Sequence, residues 1–490
     1  MKEENWKAGL SRVIITPKKP IVLAGYDRPG VFTSIHDDIW AKAIYLQDGR
    51  GNSGVIMTMD NVGLQESILT PTCNRISALT GLKRSQLLFN ASHIHTGPYI
   101  SLDPNCTDHF GHPTLTPVDS QNTVEYTMDL MDKLVNLVVK AKDALEPVEL
   151  FWVGDDFKGM VPFPINRRKP NENFVVMTEN FDGATDRSIP VLCVRTLDGN
   201  LKCVLFSCAC HNTTAVPKDN VISGDYAGFA MRYIEESSSA QAMFMSGCGA
   251  DANPYPRGNL LLAELHGEEL AKEVLHVVGL VDRRKELDDV DHDGESLKRE
   301  WNEPGAGFQK ISGSLITQHE KISVPLKVFT YQELEAVARG KDPIPALTAK
   351  KMMDTWQRLQ PSIQISSEAT TEGIFPTNYD MSVSTWKLGS ILLIGLPSET
   401  VSEYTQFILK TLAQEGISTR DLWITGYNNE FFGYVPTKDI VKEGGHETIG
   451  ITVWMFDKNK MQEIGFFTTD IQELLINQVL KQIKRNMKRS

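Results

Sequence analysis

Short apolar, β-branched runs recur between Gly, Pro and Asn punctuation: Gly54–Met59, Gln86–Asn90, Val148–Val153, Phe174–Met177, Ile189–Val194, Lys202–Cys208, Ala242–Met245, Ser390–Ile394 and Leu422–Thr425. Runs of this length and composition are strand signals. Between them, Asn122–Leu145 carries Val124, Met128, Met131, Val135 and Val138 at helical spacing above a polar face. Tyr226–Glu236, Leu260–Val278, Tyr331–Arg339 and Ser402–Glu415 read likewise as helices. The alternation restricts the chain to an α/β (α+β) fold, mixed β-sheet layers flanked by helices without a regular βαβ winding. No internal repeat is present.

A chain of 490 residues with 41% hydrophobic and 23% charged residues can bury a large core. The stretch from Val281 to about Glu368 differs in texture, being charge-rich, poor in strand signal and helical in its second half. It is expected as an inserted segment or lobe, 281–368, between two parts of one catalytic domain, 1–280 and 369–490. An ordinary helical layer of the same domain is the alternative. The net charge of −12 argues against a nucleic-acid groove. The basic tail Lys481–Arg489 reads as the solvated end of a helix. No apolar leader follows Met1 and no long apolar run occurs, so a cytoplasmic protein without stable membrane association is expected. Seven cysteines, at 73, 106, 193, 203, 208, 210 and 248, are unevenly spaced and are expected to be reduced and mostly buried.

The strongest local signal is Asn90-Ala91-Ser92-His93-Ile94-His95-Thr96-Gly97-Pro98, a buried strand running into His-x-His. Strand side chains alternate, so His93 and His95 share a face where Gly-Pro ends the strand. They suit a metal ligand with a proton-transfer partner, or a pair of structural histidines. A second apolar strand ends in Ser207-Cys208-Ala209-Cys210-His211, adding a third imidazole, with the two thiols read as buried packing. Ser246-Gly247-Cys248-Gly249-Ala250-Asp251-Ala252-Asn253-Pro254 is either an anion-binding nest or a tight turn. Leu396-Pro397-Ser398-Glu399 places a carboxylate after a strand, where a helix N-terminal glutamate is the plainer reading. Asp289-x-Asp291-x-Asp293-Gly294 with Glu300 fits a Ca2+-loop formula, but Ser296 stands at an apolar position and no partner loop exists.

Taken together these segments resemble the neutral/alkaline ceramidase family over most of residues 8–455. The likeness runs through Gly25-Tyr26-Asp27-Arg28-Pro29, Ile35-His36, Met59-Asp60-Asn61-Val62-Gly63 and Ser-His-x-His-Thr-Gly-Pro. It continues through Asn166-Arg167, His211, the Gly-rich loop, Pro397-x-Glu399-Thr400 and Gly433-Tyr434-Val435. The resemblance implies a catalytic Zn2+ held by His93, His211, Glu399 and Tyr434, with His95 beside the activated water and Arg167 contacting the reacting carbonyl. It also marks two departures. Asn253 stands where these enzymes carry a nucleophilic serine, so no acyl-enzyme is expected. Only 56 residues follow Tyr434 (490 − 434), so no C-terminal β-sandwich domain is expected.

The resulting expectation is a zinc-dependent hydrolase acting by metal-activated water on a C–N (amide) bond, with His95, Arg167 and Asn253 as catalytic residues. Arg28, Asp60, Arg168 and Arg257 complete the expected substrate-binding set. A soluble polar small molecule or oligosaccharide is the expected partner, with no nucleic acid. The alternative is a zinc-dependent carbohydrate-active enzyme, a uronate lyase or a glycoside-cleaving one, whose substrate carboxylate the arginines would clamp.

Overall fold

The computed structural model describes residues 6–26, 28, 30–104, 116–154, 158–171, 174–216, 218–285, 289–290, 296–297, 302–361, 365–448 and 465–488. Strands β1 (Trp6–Ile14), β2 (Trp40–Gln47), β3 (Ser53–Met59), β4 (Leu87–Ala91), β5 (Glu146–Val153), β6 (Val191–Thr196), β7 (Leu201–Cys208), β8 (Gln241–Ser246), β9 (Phe308–Ile311), β10 (Leu315–Pro325), β11 (Asn378–Leu388), β12 (Ile391–Pro397) and β13 (Leu422–Asn428) form one mixed sheet. The order is β8-β7-β6-β5-β1-β2-β3-β4-β13-β12-β11-β10, with β9 added to β5. β3–β4, β7–β8 and β12–β13 pair in parallel, and the other neighbours are antiparallel. Helices are α1 (Glu66–Thr80), α2 (Pro117–Asp143), α3 (Asp225–Ser238), α4 (Leu260–Val277), α5 (Tyr331–Ala338), α6 (Pro343–Leu359), α7 (Glu403–Gln414), α8 (Lys438–Glu443) and α9 (Ile471–Lys488). The mixed α/β architecture with flanking helices is the one the sequence predicts.

β4 and β13 meet at a single pair, Asn90 with Asn428, at the C-terminal tips of both strands. The sheet turns a corner there and its two halves face each other. The core composition follows from that turn. One buried cluster consists of strand residues alone and draws on every strand of the sheet, from Trp6 and Ile56 to Trp386 and Trp423. The opposite strand faces, such as Val55 and Met57 on β3, pack under helices α1 and α2. Under α3 and α4 lie residues of β6, β7 and β8, and under α5–α9 lie residues of β11, β12 and β13. Strands buried on both faces need apolar side chains at consecutive positions, which is why they read as continuous apolar runs.

The two halves touch closely. The Trp152 and Trp423 rings stand 5.2 Å apart, and truncating either side chain to alanine would cost about 3–5 kcal/mol. A Cβ on Gly54 would lie 2.8 Å from the Trp386 ring, so the strand opposite that indole has no room for a side chain.

Residues 281–368 contain β9 and β10, which lie in the main sheet, and α5 and α6, which share the core of α7–α9. From Phe308 onward the expected inserted lobe is therefore continuous with the sheet. The candidate Ca2+ loop Asp289–Glu300 lies outside the described residues, apart from a two-residue pairing of Asp289–Val290 with Ser296–Leu297. No described helix is long and apolar enough to cross a membrane.

Candidate active site

The site forms where strand ends converge at the corner of the sheet. Past β4 the chain turns sharply, His93 taking a left-handed backbone (φ 59°) with its N–H on Asn61 O. A parallel bridge between Ile94 and Asn212 brings the two histidine segments together. His211 follows β7, and its N–H donates to Ala252 O at 3.0 Å. Glu399 follows β12 and pairs in parallel with Tyr434, so those two side chains are delivered in register from segments 35 residues apart (434 − 399). A third short sheet, Pro164–Pro170 with Val175–Asn180 and Ala252–Pro254, supplies Arg167 and Asn253. Its register shifts between Asn166 and Arg168, and such an irregularity re-aims the side chain at Arg167.

His93, His95 and His211 offer donor atoms all within 4.8 Å of one another. His93 Nε2 lies 3.4 Å and His211 Nε2 3.2 Å from Glu399 Oε2, and His95 Nε2 is 3.1 Å from His93 Nε2. The opposite nitrogens are engaged by backbone carbonyls: His93 Nδ1 with Val62 O at 2.7 Å, His211 Nδ1 with Gly249 O at 3.0 Å. A neutral imidazole has one N–H, and a carbonyl can only accept. Each Nε2 therefore turns a lone pair toward a carboxylate oxygen. Burial holds His211 at about pKa 3, with Arg167 the next contributor, so protonation of that ring does not relieve its contact with Glu399 at neutral pH. A divalent cation held between these groups would resolve the clash. At metal–ligand bonds of about 2.0–2.1 Å, adjacent tetrahedral ligands stand roughly 3.3 Å apart, close to the separations here. Backbone carbonyls on the outer nitrogens are the usual second-layer support of metal histidines.

Tyr434 is held on two sides. Arg167 Nη2 donates to its hydroxyl at 3.0 Å, and His446 Nε2 lies 3.0 Å from the same oxygen. Burial first, then Glu399, push the phenol well above its ordinary pKa. Arg167 also donates from Nε to Glu447 at 3.0 Å and from Nη1 to Asn253 Oδ1 at 3.3 Å. Arginine has no acceptor, so this last bond fixes the amide orientation and leaves Asn253 Nδ2 without a partner among the described residues. His95 is held well below its ordinary pKa by burial, then by His93 and His211, and is neutral at pH 7.

The remaining predicted residues divide. Arg257 donates to Tyr26 OH at 2.6 Å, and the Tyr26 ring stands 4.6 Å from that of His95. Arg28 is 4% exposed and its guanidinium lies over the Tyr26 ring. Arg168, expected among the substrate contacts, is engaged within the protein. Its guanidinium is taken up by Glu447 Oε2 at 2.7 Å, Glu443 and Gly444 O, so it holds Glu447. Asp60 likewise directs its carboxylate to the Trp40 N–H at 2.9 Å, and burial raises it to about pKa 6. The Gly-rich turn is explained by packing: a Cβ on Gly249 would lie 2.3 Å from the Ala209 carbonyl carbon, beside the strand end that carries His211. Cys208 and Cys210 are buried core thiols. Sequence reasoning missed Tyr26, His446 and Glu447. Gly444-Gly445-His446-Glu447, with both glycines at positive φ, was the available signal for the last two.

No protein-family model matches the chain. Neutral ceramidase B of Dictyostelium discoideum is 22% identical over 254 residues, 48% of this chain and 33% of that protein. Neutral ceramidase A of the same organism is 21% identical over 255 residues, 48% and 34% respectively. The match thus spans about a third of the length of these relatives. The crystal structure of neutral ceramidase from Pseudomonas aeruginosa superposes with a TM-score of 0.65 at 16% identity, covering 99% of this chain and 75% of that one. A ceramidase complexed with C2 gives 0.63 at 15% identity, covering 99% and 76%. These likenesses overturn the expected soluble small-molecule or oligosaccharide partner. The proteins matched are named for a lipid, and neither the carbohydrate alternative nor the arginine clamp for a uronate finds support among them. By its fold and its distant relatives the chain carries a neutral ceramidase-like domain.

Proposed function

We propose that the chain is a zinc-dependent hydrolase that cleaves the amide bond of a ceramide-like N-acyl lipid. The observation that carries this reading is the pair of carbonyl-anchored imidazoles turning Nε2 lone pairs at the Glu399 carboxylate. His93, His211 and Glu399, with Tyr434 beside them, would hold the metal, which when bound polarises an oxygen and makes water nucleophilic near neutral pH.

The chain's own groups handle the rest. Neutral His95 has a nitrogen able to take the proton of the attacking water and return it to the leaving amine. Arg167 and the free Asn253 Nδ2 hydrogens point donors toward the carbonyl oxygen, where negative charge develops in the transition state. Asn253 orients substrate and forms no covalent bond to it, since a carboxamide is not a nucleophile of the serine kind. Glu447 and Arg168 keep Arg167 aimed.

The test is to load the purified chain with one equivalent of zinc and incubate it with short-chain ceramide in detergent. Release of the sphingoid base and free fatty acid, abolished by chelation and by His211→Ala, is the expected result. A fully metal-loaded protein that releases amine from no N-acyl lipid would overturn the reading.

A further inference from the structure

Among the described residues, Arg28 is a buried charge without an ion-pair partner. It is 4% exposed; Nη1 donates to Ala24 O at 3.1 Å, while Nε and Nη2 are buried with no hydrogen-bond partner among the described residues. Asp219 acts on it only through space, with no ion pair between them among the described residues. An uncompensated buried guanidinium is costly for stability, and such violations mark functional sites. Its surroundings give the function. The guanidinium carbon lies 5.1 Å from the centre of the Tyr26 ring, whose hydroxyl accepts from Arg257 and whose ring abuts His95. Gly25, at φ 85°, permits that contact, since a Cβ there would stand 2.3 Å from the His95 ring.

Arg257 lines a cavity of about 170 Å³ together with Arg167, Asn253, Glu179, Met177 and Tyr255. Arg167 is itself 7% exposed and faces the cavity beside the reacting groups. The carboxylates nearby are committed or peripheral: Glu447 to Arg167 and Arg168, and Asp225 to the N–H groups of Thr214, Ala215 and Tyr226. Glu179, on the exposed outer side, accepts from the Thr178 hydroxyl and acts on Arg257 only through space. The inner wall is therefore cationic over an apolar lip of Met177 and Tyr255, which are 50% and 39% exposed.

We propose that this cavity receives an anionic group, a carboxylate or a phosphate, on the head of the N-acyl lipid, with Arg257 in contact and the unpaired charge of Arg28 behind Tyr26. The inference rests on the amide-hydrolase reading. An acyl chain is apolar, so the anion belongs to the amine-derived half of the molecule. In a water-poor cleft, fixed cations of this kind attract and orient such a group.

The experiment uses the zinc-loaded full chain and two matched pairs: N-dodecanoylglycine against N-dodecanoylethanolamine, and short-chain ceramide 1-phosphate against the same ceramide. In at least one pair the anionic member should have a kcat/KM tenfold or more higher, mostly through KM, and the pair that responds identifies carboxylate or phosphate. Arg257→Met should collapse that ratio toward one. Arg28→Met should lower it while leaving the melting temperature unchanged or raised, because an unpaired buried charge is removed. Equal or better use of both neutral members overturns the inference and leaves the hydrolase reading standing, as does an unchanged ratio in Arg257→Met. If no amide is cleaved, the hydrolase reading fails instead. The anion site is then judged by thermal shift, where either acid should stabilise the wild type and not Arg257→Met; absence of that shift overturns it too. Arg28→Lys, which keeps the charge, serves if Arg28→Met does not fold.

Discussion

Replacing Glu447 by Gln tests how the arginine pair is held. Glu447 is buried between Arg167 Nε at 3.0 Å and Arg168 Nη1 at 2.7 Å. Burial would raise its pKa, but Arg167, His446 and Arg168 outweigh it and bring the carboxyl down to about 2 from an ordinary 4.5. A difference of that size corresponds to about 3 kcal/mol favouring the ionised form in the folded protein. Because the folded pKa is the depressed one, this stability is fully present above the unfolded value of 4.5. It is lost as pH falls through the folded value near 2. Glu447→Gln keeps the shape and removes the charge, leaving two guanidiniums facing an amide. The variant should be less stable by about 3 kcal/mol at pH 7, within the usual range for breaking a buried pair. For a chain of this size that is a melting shift of about 3 °C. At pH 3 the gap should shrink to roughly 1.4 kcal/mol, since wild-type Glu447 has by then lost most of its advantage. Urea unfolding of both proteins at pH 7 and pH 3 in chelator, so that metal release does not enter, measures the gap directly. A gap that is the same at both pH values, or below about 1 kcal/mol at pH 7, would refute the reasoning.

The other expectations concern the metal set and its supports. His211→Ala should weaken zinc binding by more than the roughly 100-fold seen when only an outer support is lost, read by competition with a chromogenic chelator. His95→Ala should retain one zinc by elemental analysis yet lose about 10²- to 10⁴-fold in turnover; loss of metal instead would make His95 a ligand. On the direct-water mechanism, intact-mass spectrometry during turnover should show no acyl adduct, and an adduct on Cys248 or Ser246 would sink it. Gly249→Ala should cost about 3 kcal/mol or more, because the 2.3 Å clash is with the Ala209 backbone, which has no flexible end to yield. A melting temperature unchanged from wild type would show that the turn can relax.

The legible part of this molecule was what chain-local patterns encode. Continuous apolar runs gave most of the strands buried on both faces, and an apolar strand ending in histidine gave His93, His95 and His211. β1, β2, β10 and β11 were not singled out because they mix polar residues that only the folded chain satisfies. Lys42 is 3% exposed yet reaches Glu235 and Ala242 O, and Thr385 on β11 is met by Gln482 and Asn486 of α9. Helix α1 contains Pro71, which reads locally as a break. Glu399 and Tyr434 looked ordinary in their own surroundings, and only the resemblance raised them. Their juxtaposition depends on a parallel bridge that no local window contains. Arg167 and Arg168 are adjacent, and nothing in the sequence says that one faces the cavity while the other braces Glu447. That division arises from the register shift in the short strand that carries them.

The distribution of backbone strain is consistent with a site built at this corner. Among the described residues, the non-glycine positions with positive φ are His93, Asp225, Ser239, Ser398, Tyr427 and Asn429. Ser239 ends helix α3, an ordinary place for that conformation. The other five lie on segments that carry or abut the proposed ligands, and each such residue costs on the order of 1–3 kcal/mol unless its surroundings enforce it. The enforcement is visible. Ser398 Oγ donates to Gly433 O and accepts from the Phe432 and Gly433 N–H groups, tying the Glu399 segment to the Tyr434 segment. Asn429 donates its backbone N–H to Phe89 O and stands beside the Asn90–Asn428 pairing, where the two sheet halves join. Asp225 takes the N–H groups of Thr214 and Ala215, just past His211. Strain stored on separate segments and compensated by bonds between them makes the geometry cooperative. Loosening one ligand segment weakens the supports of the others, which ties the precision of the metal site to the packing of the corner.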